Sequence, residues 1–195
     1  MADIPHVLIV EDEPDLADLY AAWLVDTCTV ETAYDGTEAL EAINDDLDVV
    51  LLDRRMPGLS GDTVLDAIRG RDLDCRVAMV TAVEPDFDII EMGFDDYLVK
   101  PVSKDDLLTV IDQLLLRSVY DEQLQQYFAL ASKKALLDAQ KTEAELKSSQ
   151  EYAELEDRLA VLRTEVDDTM AELFDRDVYR RLCQDITRGN PPTAE

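Results

Sequence analysis

Three carboxylates, a hydroxyl and an ammonium stand at one kind of place in this sequence, the carboxyl end of a short apolar run. HVLIV is followed by Glu11 and Asp12, DVVLL by Asp53, RVAMV by Thr81 and DYLV by Lys100. Each run is apolar enough to be a buried strand, and a charged group is tolerated only just past its end. Clustered carboxylates repel one another, and burying them without a counter-ion costs several kcal/mol. A hard divalent cation removes that conflict. Mg²⁺ prefers octahedral oxygen ligands and binds through one or two carboxylates plus a phosphate, which suits Asp12, Asp53 and a phosphoryl oxygen. Lys100 and the Thr81 hydroxyl could each contact a further phosphoryl oxygen, and Asp53 could serve as the nucleophile. Taken singly, Glu11 or Asp12 reads as a helix cap, Thr81 as a strand end and Tyr97 as a half-buried aromatic. The convergence from separate places carries the chemistry.

The elements that must position these groups follow from periodicity. Apolar runs at 6–11, 28–33, 48–52, 76–81 and 96–100 each precede a helical stripe, over 13–24, 36–44, 60–69, about 85–91 and 103–118. Strands alternating with helices imply a parallel sheet covered on both faces, with right-handed crossovers. In such a sheet ligands bind outside the carboxyl ends of the strands. Gly58 and Gly61 lack P-loop spacing and read as turn and packing glycines.

Beyond Leu116 the pattern changes. Residues 119–188 hold neither glycine nor proline, and Tyr152, Leu155, Leu159, Leu162, Val166 and Leu173 form a heptad seam interrupted at Thr169. A first helical portion, 119–147, carries Leu124, Phe128, Leu130, Leu136 and Leu137 in a less regular stripe. KSSQE at 147–151 is either a turn or the middle of one long helix, with Ser148 or Ser149 as candidate caps. Such a stripe must pair, within the tail as a hairpin or between chains as a dimer seam. The division expected is 1–118 and 119–195.

Composition narrows the function. The net charge is -27, from 45 acidic and 18 basic residues, and argues against a nucleic-acid surface, which needs clustered lysine and arginine. The acid excess, with six lysines, fits a salt-rich cytoplasm that screens self-repulsion. Cys28, Cys75 and Cys183 lack metal-ligand spacing and read as reduced. No apolar run reaches transmembrane length and Asp3 precedes the first hydrophobic stretch, so membrane insertion is not expected and a cytoplasmic location is.

VLIVEDEP (7–14), VVLLDRRMPGLSG (49–61), VTA (80–82) and DDYLVKPV (95–102) resemble, in order and spacing, the response-regulator receiver domain (CheY-like) of two-component signalling over residues 6–118. The resemblance implies a doubly wound five-stranded sheet of flavodoxin-like order 2-1-3-4-5, with Asp53 as phosphoacceptor. It further implies that Asp12 binds Mg²⁺ directly, Glu11 through water or by orientation, and Arg55 through its backbone carbonyl. Thr81 and Tyr97 match the switch pair, Lys100 the phosphate-contacting lysine, and Lys100-Pro101 the family's cis peptide. On phosphorylation Thr81 would turn to the new oxygens and Tyr97 would fill the space vacated, reshaping the face of the fourth helix, fifth strand and fifth helix. Arg54 and Arg55 depart from the apolar or smaller residues common after the acceptor, and Arg54 could select a partner or pair with the acidic face.

The tail is similar, more weakly, to the haloarchaeal HalX helical domain that follows receivers. Two output classes result: an interaction module whose tail dimerises or binds a partner, and a transcription regulator using the arginines of RDVYRRL (176–182) on DNA. DNA is the less favoured partner, because those arginines stand among Asp175, Asp177 and Asp185. His6, the sole histidine, offers no phosphodonor role. The phosphoryl group is therefore expected from a sensor histidine kinase, a histidine-containing phosphodonor or a small donor. A metabolic enzyme is not expected, only phosphoryl acceptance and autodephosphorylation on the chain itself.

Overall fold

The computed structural model describes residues 4–71 and 73–187, with side chains to Arg176. Five strands, β1 (His6–Val10), β2 (Thr29–Ala33), β3 (Val49–Leu52), β4 (Arg76–Thr81) and β5 (Asp96–Val99), form one parallel sheet of order β2-β1-β3-β4-β5. Helices α1 (Pro14–Leu24), α2 (Gly36–Ala42) and α3 (Gly61–Gly70) connect the first four strands. Side-chain alternation divides the core cleanly between the sheet's faces. Val7, Ile9, Val49 and Leu51 pack with Tyr20 and Leu24 of α1 and with Leu107, Ile111 and Leu114. Their neighbours Leu8, Val10, Val50 and Leu52 turn the other way, toward Ala39, Val64, Leu65 and Ile68 of α2 and α3. Every residue of β3 is buried, as expected of a central parallel strand.

Helix starts follow local chemistry. Asp35 accepts from the Thr37 and Glu38 amides, and Ser60 from the Thr63 amide, as N-caps of α2 and α3. Gly61 is required by space: a Cβ there would sit 2.0 Å from the Asp53 carbonyl oxygen, where the Gly61 amide bonds Arg54 O at 3.0 Å. Gly58 has φ of 78° in the preceding turn.

Two expectations are corrected. The helix expected over 85–91 is a 3₁₀ turn, Phe87–Glu91, capped by Asp86. Pro85 and Gly93 leave room for two turns at most, and Ile89 and Ile90 are poor helix formers. The helix expected over 103–118 instead runs as α4 from Lys104 to Gln140. No cap or breaker interrupts it until Thr142, whose hydroxyl and Glu145 form a reciprocal capping box opening α5 (Glu143–Ser148). Ser149 accepts from the Tyr152 amide at 3.1 Å as α6 (Gln150–Thr187) begins, so KSSQE is a break.

The chain packs as two compact units, Met1–Leu115 and Leu116–Glu195. In the second, α4 and α6 pair antiparallel. Tyr120 meets Met170 at 4.0 Å, Gln123 meets Thr169 at 2.9 Å, and Lys134 reaches Tyr152 at 2.7 Å and Glu156 at 3.3 Å. The heptad seam is thus used within the chain, and of its positions only Leu162 and Thr169 are buried. Cys28 and Cys75 are free and buried; the Cys183 side chain, the arginines beyond Arg176 and the Gly189-Asn-Pro-Pro end lie outside the described residues.

Candidate functional site

Backbone hydrogen bonds set the five groups at one level. The Glu11 amide donates to Ala33 O at 3.0 Å, Asp53 to Val10 O at 2.9 Å and Lys100 to Thr81 O at 2.8 Å. With Val10 opposite Leu52 and Thr81 opposite Val99, the chain leaves the sheet at adjacent points carrying Glu11, Asp53, Thr81 and Lys100. Glu11, Asp53 and Thr81 are buried, Asp12 is half-buried, and the Lys100-Pro101 peptide is cis.

Lys100 bridges the acids, its Nζ donating to Glu11 Oε2 at 2.6 Å and to Asp53 Oδ2 at 2.5 Å. Burial pulls the Lys100 ammonium down, but its hydrogen bonds to Asp53 and Glu11 outweigh that, and its pKa is raised. Burial likewise pushes the Glu11 carboxyl up, against the hydrogen bond from Lys100. One ammonium therefore faces an excess of carboxylate. Glu11 Oε1 is buried without a hydrogen-bond partner, and ligand oxygens of Glu11, Asp12 and Asp53 lie within 4.8 Å of one another. Buried lone pairs, excess negative charge and an all-oxygen donor set fit a hard divalent cation.

Asp53 Oδ1 accepts from the Arg55 amide at 3.1 Å, and Thr81 Oγ1 from the Val83 amide at 3.3 Å. A cleft of about 470 Å³ opens above them, lined by Asp12, Asp53, Arg55, Thr81, Glu84 and Lys100. Tyr97 is half-buried against Phe94 and donates its hydroxyl to Val83 O at 2.8 Å. All the residues expected at the site thus meet at one end of the sheet, with Tyr97 on β5, three residues before Lys100.

Some residues near the site are not legible as such in the sequence. Tyr20 is a stripe position of α1, yet its buried phenol is pushed up to about 12, first by burial and then, against Lys100, by the carboxylates of Glu11 and Asp53. Glu84 reaches the cleft through a loop with no periodicity. Arg54 pairs with Asp62 at 3.0 Å and with Asp88, ion pairs that raise its pKa. Pairing with the acidic face is one of the two roles the sequence offers for Arg54, and Asp62 and Asp88 are the partners it finds.

With this geometry in place, the comparisons with known proteins are decisive. Residues 7–112 match the response regulator receiver domain. The chain belongs to that family. Residues 116–183 match the HalX domain, so a receiver is followed by a HalX helical tail. The chain is 52% identical over 160 residues to a Haloferax volcanii protein provisionally named a transcriptional regulator, covering 82% of this chain and 27% of that one. It is 42% identical over 114 residues to the transcriptional regulatory protein CutR of Streptomyces coelicolor, covering 56% and 52%. The chain therefore spans between about a quarter and about half of these relatives. Among solved structures, a CheY-like receiver domain protein from Methanospirillum hungatei superposes with TM-score 0.56 at 26% identity, covering 61% of this chain and 99% of that one. The receiver domain of Francisella response regulator 1452 does so with TM-score 0.53 at 30% identity, covering 58% and 98%. Receivers catalyse phosphoryl acceptance and loss on themselves. No described helix is long and apolar enough to cross a membrane.

Proposed function

We propose that the chain is a two-component response regulator that accepts a phosphoryl group on Asp53 and thereby switches a protein-interaction surface. The observation that carries this reading is the Lys100 bridge between Asp53 and Glu11, beside an orphaned Glu11 oxygen, in a member of the receiver family. Asp53 Oδ attacks the phosphorus of a phosphohistidine or small acyl phosphate, and the bond from phosphorus to the donor breaks. Lys100 gives up part of its contact with Asp53 to meet a phosphoryl oxygen, and Thr81 turns its hydroxyl to another. Glu11, Asp12 and Asp53, with the Arg55 carbonyl, would hold Mg²⁺, which supplies charge neutralisation for the crowded oxygens. Water at the phosphorus later regenerates Asp53 and releases phosphate. Tyr97 reports the change at the surface through its bond to Val83, two residues from Thr81.

Met1–Leu115 serves as the switch, and the tail carries output by pairing with a second copy or a partner protein; the donor is a sensor histidine kinase or histidine-containing protein, and the setting is cytoplasmic. One observation favours a second reading, transcription control through DNA. The 160-residue match to the Haloferax volcanii protein exceeds the receiver's length and enters the tail.

Intact mass after incubation with acetyl phosphate and Mg²⁺ in molar KCl tests the first reading. A gain of one phosphoryl group, lost in Asp53→Asn and on chelation, is expected. No gain in the folded parent with acetyl phosphate or with a phosphorylated histidine donor overturns it. Retention of a specific duplex by the phosphorylated form, weakened by added salt, would favour the second.

A further inference from the structure

The residue after the acceptor ties down a part of the molecule that little else holds. The Arg54 guanidinium, 13% exposed at its side chain, grips Asp62 in the first turn of α3 through Nε at 3.0 Å and Nη2 at 3.4 Å. The same Nη2 pairs with Asp88 in the Phe87–Glu91 turn. Arg54 also lies beside the Tyr97 hydroxyl, whose pKa burial raises against the hydrogen bond with Arg54. A planar fork that serves two carboxylates from separate elements is an arginine property a lysine lacks.

The turn has few other attachments. Its own hydrogen bonds are local, Phe87 N to Asp86 Oδ1 at 2.7 Å, Ile89 N to Asp86 O at 3.1 Å and Met92 N to Ile89 O at 3.2 Å. Phe87 and Ile90 are 86% and 75% exposed, so its apolar anchorage is confined to the half-buried Ile89 and to Met92 just beyond it, which packs on the core. Upstream the chain is Thr81-Ala82-Val83-Glu84, one wall of the acceptor cleft. A second cleft, of about 480 Å³, contains Arg54, Asp62 and Asp88 and shares Arg55, Val83 and Glu84 with the first. The Val83–Glu84 lip thus separates the acceptor from the Arg54 ion pairs.

We propose that Arg54 is a positioning residue for the phosphoryl chemistry: by strapping Asp88 to Asp62 beside Tyr97, it fixes the Val83–Glu84 wall of the cleft above Asp53 and limits the water that reaches the phosphoryl group. This rests on the reading of Asp53 as acceptor. Releasing either end of the Asp88 link lets the lip move, and the phosphoryl group is lost faster. The strap and the acceptor contribute separately: the Arg54 guanidinium pairs with Asp62 and Asp88, not with the Asp53 carboxylate.

The test is the lifetime of phosphoryl-Asp53 after removal of acetyl phosphate, in the full chain, for the parent, Arg54→Ala, Arg54→Lys, Asp88→Asn and Arg54→Ala/Asp88→Asn. Arg54→Ala and Asp88→Asn are each expected to shorten it about three- to fivefold, the range available from a partly exposed charge pair. The double variant adds nothing further, because the two substitutions break one link. Arg54→Lys falls between parent and Arg54→Ala. Amide hydrogen exchange over residues 82–92 provides a second readout, faster in both single variants with the strands unchanged. Lifetimes within twofold of the parent in both single variants, or fully additive effects in the double, overturn the proposal. If the parent takes no phosphoryl group, the acceptor reading fails. The strap is then judged by exchange alone, and unchanged exchange over 82–92 in both single variants overturns that too.

Discussion

The two units of this chain are stabilised on opposite principles. In Met1–Leu115, two apolar layers close on the sheet, and Leu8, Leu51, Leu52, Ile68, Met79 and Ile111 are among the side chains taken fully out of water. Of the polar groups kept inside this unit, Glu11, Asp53 and Thr81 belong to the site, and Gln113 of α4 does not. In Leu116–Glu195, two helices face each other with, among the described residues, one buried apolar side chain, Leu162, and one buried hydroxyl, Thr169. Its pairing is marked by polar contacts, Gln123 with Thr169 and Lys134 with Tyr152 and Glu156. The first unit can hold strained chemistry because its core stabilises it with a margin. A helical pair with so thin a core holds its register by where the polar groups meet.

Substitutions that create cavities should separate the units most strongly. Leu51→Ala opens a void between the sheet and the helices packed on it, and urea unfolding of the receiver is expected to lose about 3 kcal/mol. Leu162→Ala leaves a void beside half-buried neighbours that water reaches and side chains can fill, so a loss of about 2 kcal/mol in the tail is expected. Equal losses would mean that the tail is packed as firmly as the sheet, and the contrast would collapse.

Next in size is the effect of the site on its own unit. Burial raises the Glu11 pKa above 4.5 in the folded chain, so the folded state holds that proton more tightly than the unfolded state does. The stability it confers is fully present below about 4.5 and is lost as pH rises through the raised folded value. Glu11→Gln keeps an acceptor for Lys100 and has no charge to bury. At neutral pH the variant should melt above the parent, with the gap narrowing as the pH falls toward 4.5. In the parent, Mg²⁺ should recover the difference, and in the variant it should do less. A variant that melts lower at neutral pH would show that the Lys100 bond outweighs burial.

The same contrast explains what could be read in advance. Leu8 and Ile9, or Leu51 and Leu52, are adjacent apolar residues on opposite faces, which only a sheet covered on both sides accepts. That made the strands, their ends and the acidic site legible, since a charge can stand only where such a run stops. The Phe87–Glu91 turn was not legible, because Ile89, Ile90 and Met92 at near-helical spacing look the same whether one turn forms or three. The length of α4 was missed for another reason: the expected end at 118 followed a change in hydrophobic pattern, whereas helices stop at caps, and the first is Thr142 with Glu145. That T-x-x-E signal was present in the sequence. The antiparallel register of the tail depends on Gln123 finding Thr169, which no periodicity encodes.

Thr169 gives the finest test of the contrast. It interrupts the apolar seam, and its Oγ1 lies 2.9 Å from both Gln123 Oε1 and Glu165 O. One hydroxyl proton cannot serve two acceptors, so the arrangement is satisfied when Thr169 donates to Glu165 O and the Gln123 amide turns its nitrogen toward Oγ1. Thr169→Val removes that bond, about 1 kcal/mol, and buries a methyl group in its place, a gain of similar size. Stability is therefore expected to stay within about 0.5 kcal/mol of the parent, since the two terms oppose. What should change is specificity. With an unbroken seam the helices lose the feature that distinguishes this pairing from others, and light scattering should find a broader or higher mass for the variant. A lower melting point with an unchanged mass would assign Thr169 to stability alone, and the tail would then be held as the receiver is, by its core.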